Sequence, residues 1–280
     1  MTYKDIMQTY DIAISDIEFL HHDGKPLLAR MYKPLGEGLF PAVVEVHGGA
    51  WTSGDRLVNE PIHLRLAASG VVVMAIDFRM PPEAQYPGSI QDINFAVRWL
   101  KQNAGHYAVD PAKIGGAGTS SGAHQIMLSA LRPGDTRYST HPLAGNDDAS
   151  LAFIVQCWAI NDPLARYRMA ETKGLDRLVA AHDAFWPDVV AMEDANPTLI
   201  LERGEAKQLP PALLLQGTKD ENMTPEMPER FVAAYRAAGG ALEYHKFEGQ
   251  PHAFVGIDPK APDAVRALDL IVDFVQRHTA

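Results

Sequence analysis

The chain has 280 residues, of which 46% are hydrophobic and 21% charged, values typical of a globular protein with a sizeable core. Its 25 basic and 35 acidic side chains give a formal charge of -10, which argues against nucleic acid and anionic lipid as partners. The lone cysteine, Cys157, excludes an internal disulfide. Met1–Tyr10 lacks the apolar stretch of a signal peptide, and no run approaches the ~20 apolar residues of a membrane span, so we expect a cytoplasmic protein.

The first predicted element is a β-hairpin. Ile12–Leu20 and Leu27–Tyr32 have strand-like composition and are joined through the turn sequence His22-Asp23-Gly24. Further along the chain, short apolar runs near Pro or Gly predict strands that are buried on both faces, as in a parallel sheet. These runs are Ala42–Val46, Val71–Ile76, Phe153–Val155 and Ala212–Leu215, and the segments Lys113–Ala117 and Leu242–Phe247 are strand-like as well.

Predicted helices alternate with these strands. In Ile90–Asn103, apolar residues recur at i, i+3, i+4 and i+7, the spacing of one helical face. The other candidates are Leu57–Ser69, Ala123–Leu131, Pro228–Ala238 and Pro262–Arg277. The alternation predicts a single α/β domain over residues 1–280, with a doubly wound, mostly parallel sheet and the hairpin as its antiparallel edge. Residues 161–208 carry helical patterns without a strand, so we predict a small helical cap inserted there, above a pocket.

The strongest motif is Gly118-Thr119-Ser120-Ser121-Gly122, which fits G-x-S-x-G and stands between a predicted strand and a predicted helix. A serine on such a sharp turn needs neighbours without a Cβ, so that its hydroxyl can project above the sheet. The motif therefore predicts Ser120 as a nucleophile. We expect His124, one helical turn later, to pack or to form hydrogen bonds rather than to act as a second base.

A glycine motif, His47-Gly48-Gly49-Ala50-Trp51, follows the predicted strand Ala42–Val46. Backbone N–H groups that point at a developing oxyanion stabilise the transition state of acyl transfer, and glycines let the backbone come close. We predict Gly49 and Ala50 as donors, with Gly48 as a substitute and Ser121 as the donor beside the nucleophile. An ordinary turn after a strand is the alternative interpretation.

A serine nucleophile requires a base, and the base requires a carboxylate that orients it. Asp220 follows one late strand and His252 follows the next, so the order Ser120, Asp220, His252 is that of the α/β-hydrolases. Glu221, adjacent to Asp220, is the alternative carboxylate. Among the other histidines, His245 lies inside a predicted strand and His63 on a predicted surface helix.

The sequence predicts neither a metal nor a cofactor. His-Glu-x-x-His and Cys-x-x-Cys spacings are absent, and Gly115-Gly116-Ala117-Gly118 fails G-x-G-x-x-G because Ser121 occupies the third glycine position. Four aromatic residues are candidates for lining an apolar pocket, with an ordinary core position as the alternative for each. They are Trp51, Phe185, Trp186 and Phe254.

Taken together, these motifs resemble the esterase/lipase group of α/β-hydrolases that includes hormone-sensitive-lipase-like and acetyl-esterase-like enzymes. The likeness covers roughly residues 41–278. It is carried by His47-Gly48-Gly49, Asp77-Phe78-Arg79 with Pro82-Glu83 and Tyr86-Pro87, Gly118 to Gly122, Leu209-Pro210-Pro211, Gly217-Thr218-x-Asp220 and Pro251-His252. The resemblance implies hydrolysis of short acyl esters without a cofactor, by the triad Ser120, Asp220 and His252 beneath a cap.

Two departures from that group affect the expected reaction. Ala50 stands where the third glycine is common, and the Ser120-x-Gly122-x-His124 pattern resembles the branch with small carbohydrate-ester esterases and kynurenine-formamidase-like enzymes. We therefore expect a serine carboxylesterase for small to medium acyl esters, with an amidase or arylformamidase as the alternative. A non-catalytic ligand receptor on the same fold is a third hypothesis. A homodimer through an edge strand or a helix is left open.

Overall fold

A computed structural model describes residues 9–145 and 148–280 of the chain. Most of Met1–Tyr10, for which the sequence predicts no signal peptide, lies outside the described residues. The strands are β1 (Ile12–His22), β2 (Lys25–Pro34), β3 (Phe40–Val46), β4 (Val72–Ile76), β5 (Val109–Thr119), β6 (Ile154–Cys157), β7 (Ala212–Gly217) and β8 (Leu242–Phe247). The helices are α1 (Glu60–Ala68), α2 (Gly88–Gln102), α3 (Ser120–Leu131), α4 (Pro163–Lys173), α5 (Asp176–Phe185), α6 (Val189–Asp194), α7 (Pro197–Glu202), α8 (Glu226–Ala237), α9 (Phe254–Ile257) and α10 (Pro262–Thr279).

The strands form one sheet in the order β1-β2-β4-β3-β5-β6-β7-β8. β1 pairs with β2 and β2 with β4 in antiparallel fashion, while the remaining pairs are parallel. The hairpin turn has left-handed backbone at Asp23 and Gly24, which Asp and Gly tolerate better than other residues. The predicted doubly wound sheet with an antiparallel edge is therefore present.

The core lies on both faces of this sheet. Successive side chains of a strand point to opposite faces, so Val44 of β3 packs in one core cluster and Val43 in the other. The first cluster is covered by α2 and α3, and the second by α1 and α10. Parallel strands need both faces covered, which accounts for their almost continuous apolar sequences.

The prediction for His63 is wrong. The sequence pattern places it on the surface of a helix, but α1 turns it onto the sheet, where its Nε2 lies 2.9 Å from Oε2 of Glu45 in β3. Both side chains are buried. A polar residue can occupy the buried face of a helix when the facing strand supplies a partner, because the hydrogen bond offsets much of the desolvation.

Four short helices, α4 to α7, connect β6 to β7 within the segment that the sequence predicts as a cap. Three of them begin at residues whose side chains accept a hydrogen bond from the first helical turn: Asp162 from Ala165 N, Asp188 from Ala191 N and Asn196 from Leu199 N. Capping by short polar side chains thus sets where these helices start. Within residues 9–145 and 148–280, no helix has the length and apolarity needed to cross a bilayer.

Candidate active site

Ser120 lies at the junction of β5 and α3, with a φ of 51° in the left-handed region. The flanking glycines are required by close packing. A Cβ on Gly122 would lie 2.1 Å from the carbonyl oxygen of Val46, and one on Gly118 would lie 2.8 Å from the backbone nitrogen of Ala123. The G-x-S-x-G sequence therefore produces the strained strand-to-helix turn that lifts the serine hydroxyl above the sheet.

Three side chains from separate loops form a continuous hydrogen-bonded chain. His252 Nε2 lies 3.0 Å from Ser120 Oγ, and His252 Nδ1 lies 2.7 Å from Asp220 Oδ2. Because a carboxylate only accepts, His252 donates through Nδ1, which leaves Nε2 to accept the serine proton. Gln216 Nε2 and Asn222 N also donate to Asp220, at 2.8 Å each, and so fix the carboxylate.

The rival residues lie elsewhere. Glu221 is exposed, and it is Asp220 that the structure brings to His252. His245 stays inside β8, with its Nε2 3.9 Å from Glu243. Of the residues predicted as nucleophile, base and orienter, the structure therefore brings together the trio Ser120, His252 and Asp220.

The loop after β3 is held next to the serine by two side chains of the elbow, the strand-to-helix turn formed by residues 118–122. Gly48 N donates to Thr119 Oγ1 at 3.0 Å, and Trp51 N donates to Ser121 Oγ at 3.1 Å. The Gly48 N–H is thereby engaged, whereas within the described residues the N–H groups of Gly49 and Ala50 have no hydrogen-bond partner. Both residues have positive φ, 121° and 52°.

The structure also shows why Gly49 and Ser121 occupy their positions. A Cβ on Gly49 would lie 1.8 Å from the carbonyl oxygen of Ser53, so only glycine fits. Ser121 is the second residue of α3, and the first N–H groups of a helix have no partner within the helix. All four predicted oxyanion residues therefore lie around Ser120, with Gly48 serving to anchor the loop.

A buried polar network behind this loop was not found from the sequence. Asn59 Nδ2 donates to Glu45 Oε1 at 2.7 Å and to Thr119 Oγ1 at 3.0 Å, so it joins the Glu45–His63 pair to the residue that anchors Gly48. One signal was present: Glu45 is a charged residue inside the apolar run Ala42–Val46. A carboxylate inside a buried strand requires a partner, which could have directed attention to His63.

A cavity of about 630 Å³ opens over the serine. Its wall includes Ser120, His252, Gly49 and Ala50, with Trp158 and Arg166 close by. The predicted aromatic pocket residues lie instead in the core: Trp51, Phe185, Trp186 and Phe254 are at most 4% exposed. Trp51 stacks on Phe185 with ring centroids 5.5 Å apart, so this pair packs the loop after β3 against α5.

His124 connects the elbow helix to the cap. Trp51 Nε1 donates to its Nδ1 at 3.2 Å, so Nε2 carries the proton and donates to the carbonyl of Ala195 at 2.9 Å. Complete burial lowers the pKa of His124 to about 4. The residue has the packing and hydrogen-bonding role that the sequence predicts.

One group of described residues has the composition of a metal site. His22, Asp92 and His141 each offer one ligand atom, and these atoms lie within 4.8 Å of one another; the Nε2 atoms of His22 and His141 are 3.0 and 3.1 Å from Oδ1 of Asp92. Arg79 already donates to both oxygens of Asp92 at 2.8 to 3.1 Å. The carboxylate thus has a cationic partner, and the cluster joins the hairpin to α2.

The comparisons with known proteins agree on the fold. Among models of protein families, BD-FAE matches residues 31–234. Esterase LipC of Mycobacterium tuberculosis is 28% identical over 86% of this chain and 60% of its own length. Among solved structures, an esterase of Pyrobaculum calidifontis gives a TM-score of 0.79 at 23% identity, covering 97% of this chain and 88% of that one. Thermogutta terrifontis esterase 2 gives 0.75 at 22% identity, covering 99% and 97%.

These matches confirm the α/β-hydrolase fold and the resemblance to the esterase/lipase group. The chain spans 50 to 60% of the length of the curated relatives LipC, LipQ and LipM, all from M. tuberculosis. The shared part includes the strand-to-helix turn and the glycine loop described above, since both fall within residues 31–234.

Proposed function

The chain belongs to the BD-FAE family, and from this premise we propose that it is a serine carboxylesterase acting on small to medium acyl esters. The observation that carries the proposal is the hydrogen-bonded chain from Ser120 through His252 to Asp220, with distances of 3.0 and 2.7 Å. The named relatives are esterases or carboxylic ester hydrolases, which favours ester over amide substrates.

In the proposed reaction, Ser120 Oγ attacks the ester carbonyl while His252 Nε2 takes the serine proton. Asp220 holds the imidazole in the required tautomer and stabilises its positive charge. The N–H groups of Gly49, Ala50 and Ser121 donate to the oxyanion of the tetrahedral intermediate. When the intermediate collapses, His252 gives its proton to the departing alcohol and Ser120 keeps the acyl group.

Water then completes the cycle. His252 removes a proton from the water as it attacks the acyl-enzyme, and returns that proton to Ser120 Oγ as the carboxylic acid leaves. Residues 161–208 act as a cap within a single domain and supply one wall of the cavity. The two-step route predicts a burst of the first product when deacylation is the slower step.

We further propose a cytoplasmic location, which fits the lone, buried Cys157. Burial raises the pKa of the Cys157 thiol far above its usual range, so this cysteine does not compete with Ser120 as a nucleophile. A small-molecule ester is the proposed substrate, while the homodimer stays a prediction.

The test is a burst experiment with p-nitrophenyl esters and matching anilides on wild type, Ser120→Ala and Ser15→Ala. Ser15 is an exposed serine of β1 and controls for serine loss in general. We expect turnover of esters to be faster than that of anilides and to be lost only in Ser120→Ala. Ester hydrolysis unchanged in Ser120→Ala would refute the proposal.

A covalent probe gives an independent reading. Thermogutta terrifontis esterase 2 has been solved phosphorylated by paraoxon. With paraoxon, we expect intact-mass spectrometry to show one diethylphosphoryl group on wild type and on Ser15→Ala, and none on Ser120→Ala. Labelling that persists in Ser120→Ala would assign the nucleophile to another residue.

A further inference from the structure

Arg166 of α4 is a buried arginine in the wall of the cavity that contains Ser120 and His252. It is only 2% exposed. Its Nε donates to the carbonyl of Asn222 at 3.2 Å, and its guanidinium lies 5.4 Å from the ring centroid of Trp51. These two contacts hold the guanidinium between the loop that carries Asp220 and the loop that carries Gly49 and Ala50.

This guanidinium is stabilised by the charge of nearby Asp220, but it has no ion-pair partner in the described part of the chain. Its Nη1 is buried and has no hydrogen-bond partner within the described residues. Burial lowers the pKa of Arg166 to about 10, so the side chain stays charged at neutral pH. Both oxygens of nearby Asp220 accept hydrogen bonds from other groups, and no ion pair joins Asp220 to Arg166 in the described part of the chain. A buried charge without an ion-pair partner is costly, which points to a ligand that supplies one.

The charge of the cavity wall points the same way. None of the described residues that line the cavity is acidic, although the whole chain carries a formal charge of -10. A second arginine of the wall, Arg177 of α5, is exposed. Apolar side chains such as Leu178 and Ala181 also line the wall. Among its described residues, the cavity wall thus carries two cationic groups and no carboxylate, a charge balance that favours an anionic ligand.

We propose that Arg166 is a binding residue for an anionic substrate, namely an ester that carries a carboxylate group in addition to the scissile bond. The proposal rests on the esterase function and adds the substrate class to it. A carboxylate matches the planar donor fork of a guanidinium, and within the described residues neither terminal nitrogen of Arg166 donates a hydrogen bond. The carboxylate can belong to the acyl part or to the alcohol part of the ester, and the experiment separates these sources.

A purely structural role for Arg166 makes a different prediction. Its contacts with Asn222 and Trp51 would then serve only to position the two loops, and its loss would weaken binding of charged and neutral esters alike. An anion subsite instead produces a selective loss for the charged ester. The comparison of an anionic ester with its neutral isostere therefore distinguishes the two roles.

Binding is measured by calorimetry on Ser120→Ala, so that turnover does not enter. The acyl-side pair is monomethyl glutarate and the methyl ester in which an isopropyl group replaces the carboxylate. The alcohol-side pair is the butyrate ester of para-hydroxybenzoate and that of para-isopropylphenol. The binding of each pair is then measured on three double variants, in which Arg166→Met, Arg166→Lys or Arg168→Met is combined with Ser120→Ala. Arg168 is exposed on the same helix and controls for the loss of one positive charge.

We expect the anionic member of at least one pair to bind more tightly than its isostere. Arg166→Met should weaken that binding by about 10- to 100-fold, the range for a hydrogen bond to a charged group, and change the isostere by less than about 3-fold. Arg166→Lys should recover part of the loss, and Arg168→Met should leave both ligands unchanged. No preference for the anion in either pair, or equal losses for both members, would overturn the proposal. Wild-type turnover of p-nitrophenyl butyrate tests the esterase function separately.

Discussion

The buried pair of Glu45 and His63 allows a quantitative test of how strongly the polar network around Asn59 stabilises the fold. Their side chains are 2% and 0% exposed and lie 2.9 Å apart. Removing one partner leaves the other without its hydrogen bond in the core, so His63→Leu and Glu45→Leu should each lower the free energy of unfolding by about 3 to 5 kcal/mol. Removing both takes away two polar groups at once and should be less destabilising than the sum of the single changes.

The assay is a double-mutant cycle by urea unfolding, followed by tryptophan fluorescence at neutral pH. We expect a coupling free energy of about 2 to 4 kcal/mol between Glu45 and His63, since the pair is in direct contact. The hydrogen bond from Asn59 to Glu45 remains in His63→Leu, which places that variant near the lower end of its range. A coupling below about 0.5 kcal/mol would show that the two side chains contribute independently and would refute the reasoning.

Three further predictions concern the elbow and its neighbours. Gly122→Ala should abolish ester hydrolysis and lower the melting temperature, because the added Cβ would meet two carbonyl oxygens at the end of β3 at 2.1 and 2.3 Å. Thr119→Val removes the acceptor of a loop N–H and should lower kcat by about 10-fold or more, with stability falling by about 1 to 3 kcal/mol. The pKa of His124 is about 4 in the folded protein and 6.5 when the side chain is exposed, so the unfolded chain binds a proton at this residue more readily than the folded protein does. Its contribution to stability is complete above pH 6.5, and up to about 3 kcal/mol is lost as pH falls to 4.

The Gly122 and His124 predictions each have a matched control variant. Gly134→Ala adds a Cβ with no neighbour within 4 Å, so it should behave as wild type in hydrolysis and melting. For Thr119→Val, an unchanged kcat measured on the folded variant would contradict the anchoring role. For the pH dependence, the urea midpoint of His124→Gln should fall less between pH 6.5 and 4 than that of wild type. Substitution of the exposed His106 by Gln should leave the wild-type profile intact.

Much of the architecture follows from local sequence patterns. The strand Leu242–Phe247 is predicted with its observed bounds, and the other predicted strands overlap β1 to β7. The order Ser120, Asp220, His252 placed each residue after a different strand of one sheet. Parallel strands end at the same edge, so these loops converge there. This convergence of loops depends only on the sheet topology, and the alternation of strand and helix in the sequence indicates that topology.

The remainder depends on how helices rotate about their own axes and dock. Whether His63 faces solvent or Glu45 is decided by which face of α1 meets the sheet, and a short helix of mixed polarity does not specify that face. The same holds for Arg166 in α4, whose place in the cavity wall arises from the orientation of the cap helices. Trp51 and Phe185 could equally fill a core or line a pocket, since the two environments favour the same residue types.

The sheet loops and the inserted helices supply different residues to the cavity, and this separation is useful for protein engineering. The proposed triad comes from loops of the sheet, whereas Arg166 and Arg177 are supplied by one uninterrupted stretch of chain between β6 and β7. If the proposed roles hold, replacing that stretch by the equivalent segment of a relative would transplant ligand selectivity in a single graft. Such a chimaera would keep its chemistry provided that the new helices preserve the contacts to Trp51 and to the Asn222 carbonyl.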